Sequence, residues 1–493
     1  MNFRMIKYIT GWLLLFEAIF MCVPALTAVV YKESDLRYFL VTMAGCLLLG
    51  ALMIFPKPAN KALYAKDGFV IVSLSWIVLS LVGALPFVLS GAIPNYIDAL
   101  FETVSGFTTT GSSILPSVEA LTKSMLIWRS FTHWIGGMGV LVFIMAFVPL
   151  SGGNNMHIMK AESPGPSVSK LVPRVRTTAL ILYTIYFMLT IIMFFFLLCF
   201  GMNTFDALNT CFATAGTGGF GFLNDSLLSF SPATQIIVTV FMLLFSINFS
   251  CYYLLLLGRL KDAFNTEVRA FLLIVAVAIV TVTINIRGMF SSVGEALRHA
   301  AFTVSSIIST TGFATVDFNL WPALAQTVLV LLMFIGACAG STGGGIKVSR
   351  VIILFKSIGR ELGSMIYPRR VKKVMIDKRP LENEAVHSVS VYLVCFVLTF
   401  VVSVILLAAF DGQSLLTNFT AVAATINNIG PGLDAVGPTK NFAGFSVPSK
   451  LVLIFDMLAG RLELFPMLVL FNPSTWRNLS GSYKIHDKNL KKG

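Results

Sequence analysis

The stretch Ala99–Gly111, ALFETVSGFTTTG, decides how this chain is read. Its first eight or nine residues suit a short helix, and its last few, Thr108-Thr109-Thr110-Gly111, are not helical by composition. Three more windows of thirteen residues align with it on a terminal glycine: Ala207–Gly219 (ALNTCFATAGTGG), Ala300–Gly312 (AAFTVSSIISTTG) and Asn418–Gly430 (NFTAVAATINNIG). The glycines are 108, 93 and 118 residues apart. A self-similar unit at such spacing sets the architecture before any local detail does.

What surrounds the windows is apolar. The 493 residues are 56% hydrophobic and 12% charged, with a mean hydropathy of +0.84, whereas a soluble domain carries about 25% charged residues. The solvent is therefore lipid. Two apolar runs open the chain, near 9–31 and 38–56. Each window then lies between two more: 69–91 and 124–149, 178–201 and 233–257, 268–287 and 322–346, 386–410 and 449–471. A spanning helix needs about 20 apolar residues. The expected fold is an all-α polytopic membrane protein of about ten transmembrane helices with four re-entrant pore loops in a pseudo-fourfold, potassium-channel-like pore. Its expected units are two extra helices (1–60), pore repeats 1 (61–160) and 2 (161–262), repeat 3 with a basic linker (263–385), and repeat 4 with a basic tail (386–493).

Charge tests the layout. With the N-terminus inside, the inner segments hold 27 of the 36 Lys and Arg, which obeys the positive-inside rule. Both termini then face the cytoplasm. The net charge of +13 reflects this distribution and does not argue for nucleic acid. Arg4 and Lys7 precede a run that could pass for a signal peptide, but it continues through Val29-Val30-Tyr31, as an uncleaved first helix would. The seven cysteines are scattered in apolar segments, with no C-x-x-C pair, and read as buried free thiols. Arg369-Arg370-Val371-Lys372-Lys373 has two readings: a topology determinant beside anionic membrane lipid, or a docking surface for a cytosolic subunit.

A helix as short as each window's cannot cross a bilayer. Non-helical backbone at membrane depth survives only inside protein or beside a water-filled cavity, and the axis of a pore offers both. A half-helix aims its negative C-terminal end at the cavity and favours a cation. Extended backbone then presents carbonyls that replace the hydration shell of potassium. Glycine accepts dihedrals that a Cβ forbids, and Thr and Ser add hydroxyls without bulk.

These residues resemble the membrane subunits of Trk/Ktr-type potassium transporters, a superfamily that includes plant and fungal high-affinity transporters. The resemblance covers nearly the whole chain. It is carried by Ser105-Gly106-Phe107-Thr108-Thr109-Thr110-Gly111-Ser112, Ser309-Thr310-Thr311-Gly312-Phe313 and Asn427-Asn428-Ile429-Gly430-Pro431-Gly432. The two extra N-terminal helices are similar to the Trk branch. The resemblance implies potassium uptake across the cell inner membrane through a filter lined by Gly111, Gly219, Gly312 and Gly430. Thr109, Thr110, Thr310, Thr311, Asn428 and Ile429 join them as potassium-binding candidates. The second loop leaves Gly218 and Gly219 both open; Phe220 after it favours Gly219. Potassium is then the transported ligand, and no cofactor is expected in this chain. The resemblance also implies a homodimer and a cytosolic nucleotide-binding regulatory subunit, for which no inner segment of this chain is long enough.

Gly336-Ala337-Cys338-Ala339-Gly340-Ser341-Thr342-Gly343-Gly344-Gly345 cannot be a stable straight helix, since each glycine costs about 1 kcal/mol against alanine. It reads as close packing by small residues or as a flexible intramembrane gate, and the family has a loop at this place. Gly345-Ile346-Lys347-Val348 breaks the ending a phosphate-binding P-loop requires. Arg461, within the last apolar run, needs a cavity or a partner: an ion pair with Glu463 or Asp456, or, by resemblance, a pore-facing position that limits permeation. The gate candidates are thus Gly340, Ser341, Thr342, Gly343, Gly344, Gly345 and Arg461. Lys347 and Arg350 read as interfacial anchors, His133 and His299 as capping or interfacial residues, and Glu102 and the other outer acids mostly as solvated.

The alternative reading is a sodium- or proton-coupled secondary cation symporter. It expects buried carboxylates in mid-span, which the sequence places almost nowhere. An enzyme is not indicated, because no catalytic dyad or ligand-spaced His/Asp/Glu cluster is present.

Overall fold

The computed structural model describes residues 1–58, 60, 63–139, 175–369, 373–377 and 379–476. It opens with α1 (Phe3–Phe20), α2 (Cys22–Val30) and α3 (Leu36–Ile54). α1 crosses α3 where Gly11 meets Gly50: a Cβ on Gly11 would lie 3.0 Å from the Gly50 carbonyl oxygen, and one on Gly50 would lie 2.9 Å from that of Gly11. Lipid supplies no hydrophobic drive between helices, so close backbone approach at small residues does the packing.

One order of elements then recurs four times: a long helix, a helix of 12 to 16 residues, an irregular loop and a further helix of 13 to 15 residues. The first unit is α4 (Ala65–Gly83) with α5 (Leu85–Ser90), α6 (Tyr96–Phe107) and α7 (Lys123–Gly137). The second is α8 (Val175–Cys199), α9 (Thr204–Ala215), α10 (Pro232–Ser246) and α11 (Phe249–Leu256). The third is α12 (Thr266–Ile286), α13 (Val293–Ile308), α14 (Ala323–Ile335) and α15 (Val348–Ile366). A hairpin of β1 (Met375–Ile376) and β2 (Arg379–Pro380) follows, antiparallel with Met375 opposite Pro380. The fourth unit is α16 (Asn383–Phe410), α17 (Leu415–Ile426), α18 (Val447–Arg461) and α19 (Phe465–Phe471).

Six helical stretches among the described residues are long and apolar enough to cross a membrane, or seven if the pair α10–α11 counts as one. The remaining three of the ten expected spans fall on α7, α14 and α18. The sequence reading broke only the run near 322–346. The structure also breaks 233–257 and 449–471. α10 and α11 meet at 91°, and α18 ends before Glu463 and Leu464, which hold φ of 55° and 68°. α7 ends at Gly137; residues 140–149 of its expected span lie outside the described ones. α7, α10 and α18 have 15 residues and α14 has 13. At 1.5 Å per residue that is roughly 20–22 Å, short of a hydrocarbon core of about 30 Å. The apolar runs continue through the breaks, so hydropathy does not register them.

The core follows from this arrangement. Trp128 of α7 donates its indole N–H to the Gly83 carbonyl at 3.0 Å and meets Phe107 edge-on at 5.9 Å, which seats the first short helix against its neighbours.

Candidate functional site

The four short helices start and end alike. Asn95, Asn203, Ser292 and Ser414 each cap one, accepting from the backbone N–H of Ile97 (2.8 Å), Asp206 (2.9 Å), Glu295 (3.1 Å) and Thr417 (3.1 Å). Such caps satisfy the free donors of a first turn. The helices begin three or more residues before the expected windows, at Tyr96, Thr204, Val293 and Leu415.

At the other end, Thr109, Thr217, Thr310 and Asn428 hold φ of 55°, 55°, 60° and 54°. The N–H of the next residue reaches back to close the helix: Thr110 to Ser105 O (2.9 Å), Gly218 to Ala213 O (2.8 Å), Thr311 to Ser306 O (2.9 Å) and Ile429 to Ala424 O (2.8 Å). This is the Schellman pattern, with threonine three times where glycine is usual. A left-handed β-branched residue costs roughly 1–2 kcal/mol, so its three occurrences mark a conformation imposed by the surroundings.

The next positive φ falls two residues on, at Gly111 (82°), Gly219 (74°), Gly312 (84°) and Gly430 (102°). The two glycines of the second loop thereby differ: Gly219 matches the other three, and Gly218 does not have a positive φ. Gly218 is small for another reason, because a Cβ there would lie 2.2 Å from His133 Nδ1.

The four loops touch in a closed order. A Cβ on Gly111 would lie 2.0 Å from the Gly218 carbonyl oxygen, on Gly219 1.8 Å from that of Thr311, on Gly312 2.1 Å from that of Ile429, and on Gly430 2.8 Å from that of Thr110. Each glycine thus faces the carbonyl of the residue before the glycine in the next loop, and the fourth returns to the first. Asn428 Nδ2 donates to Thr110 Oγ1 at 2.9 Å, and Ser112 Oγ to the Gly430 carbonyl at 2.9 Å, tying the fourth loop to the first. Among the described residues the buried Thr109 Oγ1 and Asn428 Oδ1 make no hydrogen bond. Buried polar atoms seldom stay unsatisfied without water or an ion to serve them.

Behind the loops lie side chains that sequence reading misplaced. His133 is fully buried in α7, not interfacial. Its Nδ1 is 2.8 Å from the Gly106 carbonyl, and its Nε2 accepts the Phe220 N–H at 3.2 Å. An accepting Nε2 puts the proton of a neutral ring on Nδ1, so one imidazole links the first short helix to the second loop. His299 is buried too, stacked on Phe290 and 2.9 Å from Thr315 Oγ1. Glu102 is buried, not solvated. It pairs with Arg129 at 2.7 Å and accepts from Ser113 Oγ (3.0 Å) and the Ile114 N–H (3.0 Å). Arg129 also donates to the Gly221 carbonyl at 3.0 Å and lies 4.1 Å over the Phe220 ring. Other outer acids brace local backbone. Asp411 accepts the Ser446 N–H at 3.1 Å, and hydrogen bonds from Ser414 and Thr417 hold the Asp434 carboxyl below its ordinary range.

The glycine-rich segment, 336–347, is a loop between α14 and α15. The Gly344 N–H donates to Thr310 Oγ1 at 2.7 Å, and a Cβ on Gly344 would lie 2.4 Å from the Asn427 carbonyl oxygen. The loop thus lies against the third and fourth window loops. Thr342 reaches the Phe245 carbonyl through its hydroxyl at 3.1 Å, and the Gly340 carbonyl accepts the Phe249 N–H at 3.0 Å; both partners flank the break between α10 and α11. Arg461 donates to the carbonyls of Thr342 (2.8 Å), Gly137 (2.6 Å) and Gly136. The ion pair proposed for it goes elsewhere: Glu463 pairs with Arg350, and Asp456 accepts from Ser403 Oγ at 2.7 Å. Lys347 and Arg350 are buried rather than interfacial. Lys347 Nζ donates to the Gly343 carbonyl, and Arg350 lies 4.1 Å over the Tyr392 ring. No metal-holding group of three His, Cys, Asp or Glu occurs among the described residues.

Comparison with known proteins follows the same outline. The family model described as "TrkH: Cation transport protein" matches residues 36–478. The Trk system potassium uptake protein TrkH of Escherichia coli K12 is 37% identical over 486 residues, covering 97% of this chain and all of that one. TrkG of the same organism is 32% identical, covering 96% of this chain and 99% of that one. The crystal structure of the potassium transporter TrkH from Vibrio parahaemolyticus superposes with a TM-score of 0.86 at 36% identity, over 97% of this chain and 100% of that one.

Proposed function

The chain belongs to the TrkH family of cation transport proteins, and from that premise we propose that it mediates potassium uptake through a path at the axis of its four loops. The observation that carries this reading is the closed order of glycine-to-carbonyl contacts from Gly111 round to Gly430. In this reading the carbonyls of Thr110, Gly218, Thr311 and Ile429 lie at one level of the path and replace the water shell of potassium. Four short helices ending at this level add partial negative charge. Thr109, Thr110, Gly111, Gly218, Gly219, Thr310, Thr311, Gly312, Asn428, Ile429 and Gly430 form the selectivity filter in this reading. The chain carries ten spans, six of them long helices and the rest short or broken, in a pseudo-fourfold arrangement.

Gly340, Ser341, Thr342, Gly343, Gly344 and Gly345 form the gate beneath the filter, and Arg461 tethers it. A cytosolic nucleotide-binding subunit acts on this gate, in keeping with relatives that are named as parts of a Trk system. The chain works as a homodimer in the inner membrane with both termini in the cytoplasm.

Rubidium uptake into proteoliposomes holding the purified chain tests this. Uptake suppressed by potassium but not by sodium is expected, with a higher rate after deletion of 341–345. Folded protein that passes no rubidium in either form contradicts the pore reading.

A second reading, ion-coupled symport, gains from two carboxyls that sequence reading underweighted. Glu17 of α1 and Asp456 of α18 are both fully buried, and Glu17 makes no hydrogen bond among the described residues. Rubidium uptake accelerated by an imposed proton gradient at constant voltage supports coupling; indifference to that gradient leaves the simple path.

A further inference from the structure

Two backbone N–H groups, one within the glycine-rich loop and one just past it, converge on a single side-chain oxygen. Ala339 and Ser349 donate to Oε1 of Glu267 at 2.8 and 3.1 Å. Glu267 stands in the first turn of α12, outside the loop and outside the windows. The residue before it is held in turn. Thr266 donates its N–H (2.8 Å) and its hydroxyl (2.6 Å) to Oδ1 of Asp377. Asp377 forms the tip between β1 and β2, with φ of 46°. Lys356 of α15 donates to the Met375 carbonyl of the same hairpin at 2.8 Å.

The loop's contacts with the break between α10 and α11 are to neutral backbone groups, among them Cys338 N–H to Ser246 O at 3.1 Å. Glu267 differs: it is a carboxylate, and a hydrogen bond to an ionised acceptor is roughly twice as strong as one between neutral groups. Its removal leaves the half-buried Ala339 N–H of the loop and the buried Ser349 N–H at the start of α15 without that acceptor.

We propose that Glu267 is the positioning residue that keeps the glycine-rich loop in its seat, and that Asp377 fixes where Glu267 stands. The hairpin and the loop are then linked through two successive residues, Thr266 and Glu267. A partner that displaced the hairpin would loosen the loop without touching it. This inference rests on the gate reading given above.

Site-resolved maleimide labelling of the full-length chain in proteoliposomes, read by mass spectrometry alongside rubidium uptake, tests it. Cys338 lies in the loop and is fully buried, and Cys211 on α9 is buried away from it, so Cys211 reports general unfolding. Glu267→Ala is expected to speed both Cys338 labelling and uptake by about tenfold with Cys211 unchanged. Glu267→Gln, which keeps one acceptor oxygen but not the charge, falls between Glu267→Ala and the natural protein. Asp377→Ala moves both readouts the same way by less. Natural rates of Cys338 labelling in Glu267→Ala overturn the proposal, as does Cys211 labelling that rises in step. Where Glu267→Ala does not fold, natural rates in Asp377→Ala overturn it. Deletion of 341–345 separates the two ideas: if uptake does not rise there, the gate reading fails, while Cys338 labelling still reports whether Glu267 seats the loop.

Discussion

Thr310 accepts the Gly344 N–H on its hydroxyl at 2.7 Å, which joins the third window loop directly to the glycine-rich loop. Thr310 is also one of the three threonines forced to a positive φ. One side chain therefore serves both the proposed filter loop and the proposed gate. A seated loop and a well-formed third window loop support each other.

Thr310→Val keeps the β-branched shape and removes the acceptor. Rubidium uptake is expected to rise several-fold, because the Gly344 N–H loses a bond worth about 1 kcal/mol. Thr310→Ser keeps the hydroxyl and is expected to retain natural flux. Equal uptake in the valine and serine forms would detach this contact from gating.

His133 is expected to matter through packing and hydrogen bonding together. His133→Ala opens a cavity against Gly218, removes one of the donors to the Gly106 carbonyl and takes the acceptor from the Phe220 N–H. A buried truncation of this size costs roughly 3 kcal/mol or more. The melting temperature in detergent should fall, and sodium should compete more effectively with rubidium. A stable protein of unchanged selectivity would show that the imidazole does not shape the second loop.

The pair Glu102–Arg129 predicts a non-additive result. Leaving one buried charge without its partner costs about 3–5 kcal/mol, so Glu102→Leu and Arg129→Met should each destabilise the protein strongly. The double replacement should recover much of the loss, and a thermal-unfolding double-mutant cycle measures it. Strict additivity would mean that the two residues act independently, against their separation of 2.7 Å.

The four windows could be read because glycine, hydroxyl residues and a short helical stretch recur in one order, and local composition dictates local backbone. The second loop stayed ambiguous because Gly218 and Gly219 are chemically identical; only φ and the position of His133 tell them apart. The helix breaks before Asn248 and after Leu462 escaped notice because the apolar run continues through them. Asn248 Oδ1, which accepts the Ser250 N–H at 2.8 Å to start α11, was a cap signal inside an apolar run. Glu102 with Arg129, Glu463 with Arg350, and Glu267 with Ala339 are pairings between separate elements, and no periodicity encodes them. Each could have been suspected only from the cost of placing charge in lipid.

If four loops from one chain form a single potassium-selective ring, substituting the ring glycines one at a time reveals it. Gly111→Ser, Gly219→Ser, Gly312→Ser and Gly430→Ser each force a side chain toward the neighbouring loop's carbonyl from a backbone conformation that disfavours one. Potassium and sodium competition against rubidium uptake would be measured for all four in proteoliposomes. Every one of them is expected to lose preference for potassium. A folded, active variant that keeps the natural preference would remove its loop from the ring and contradict the account.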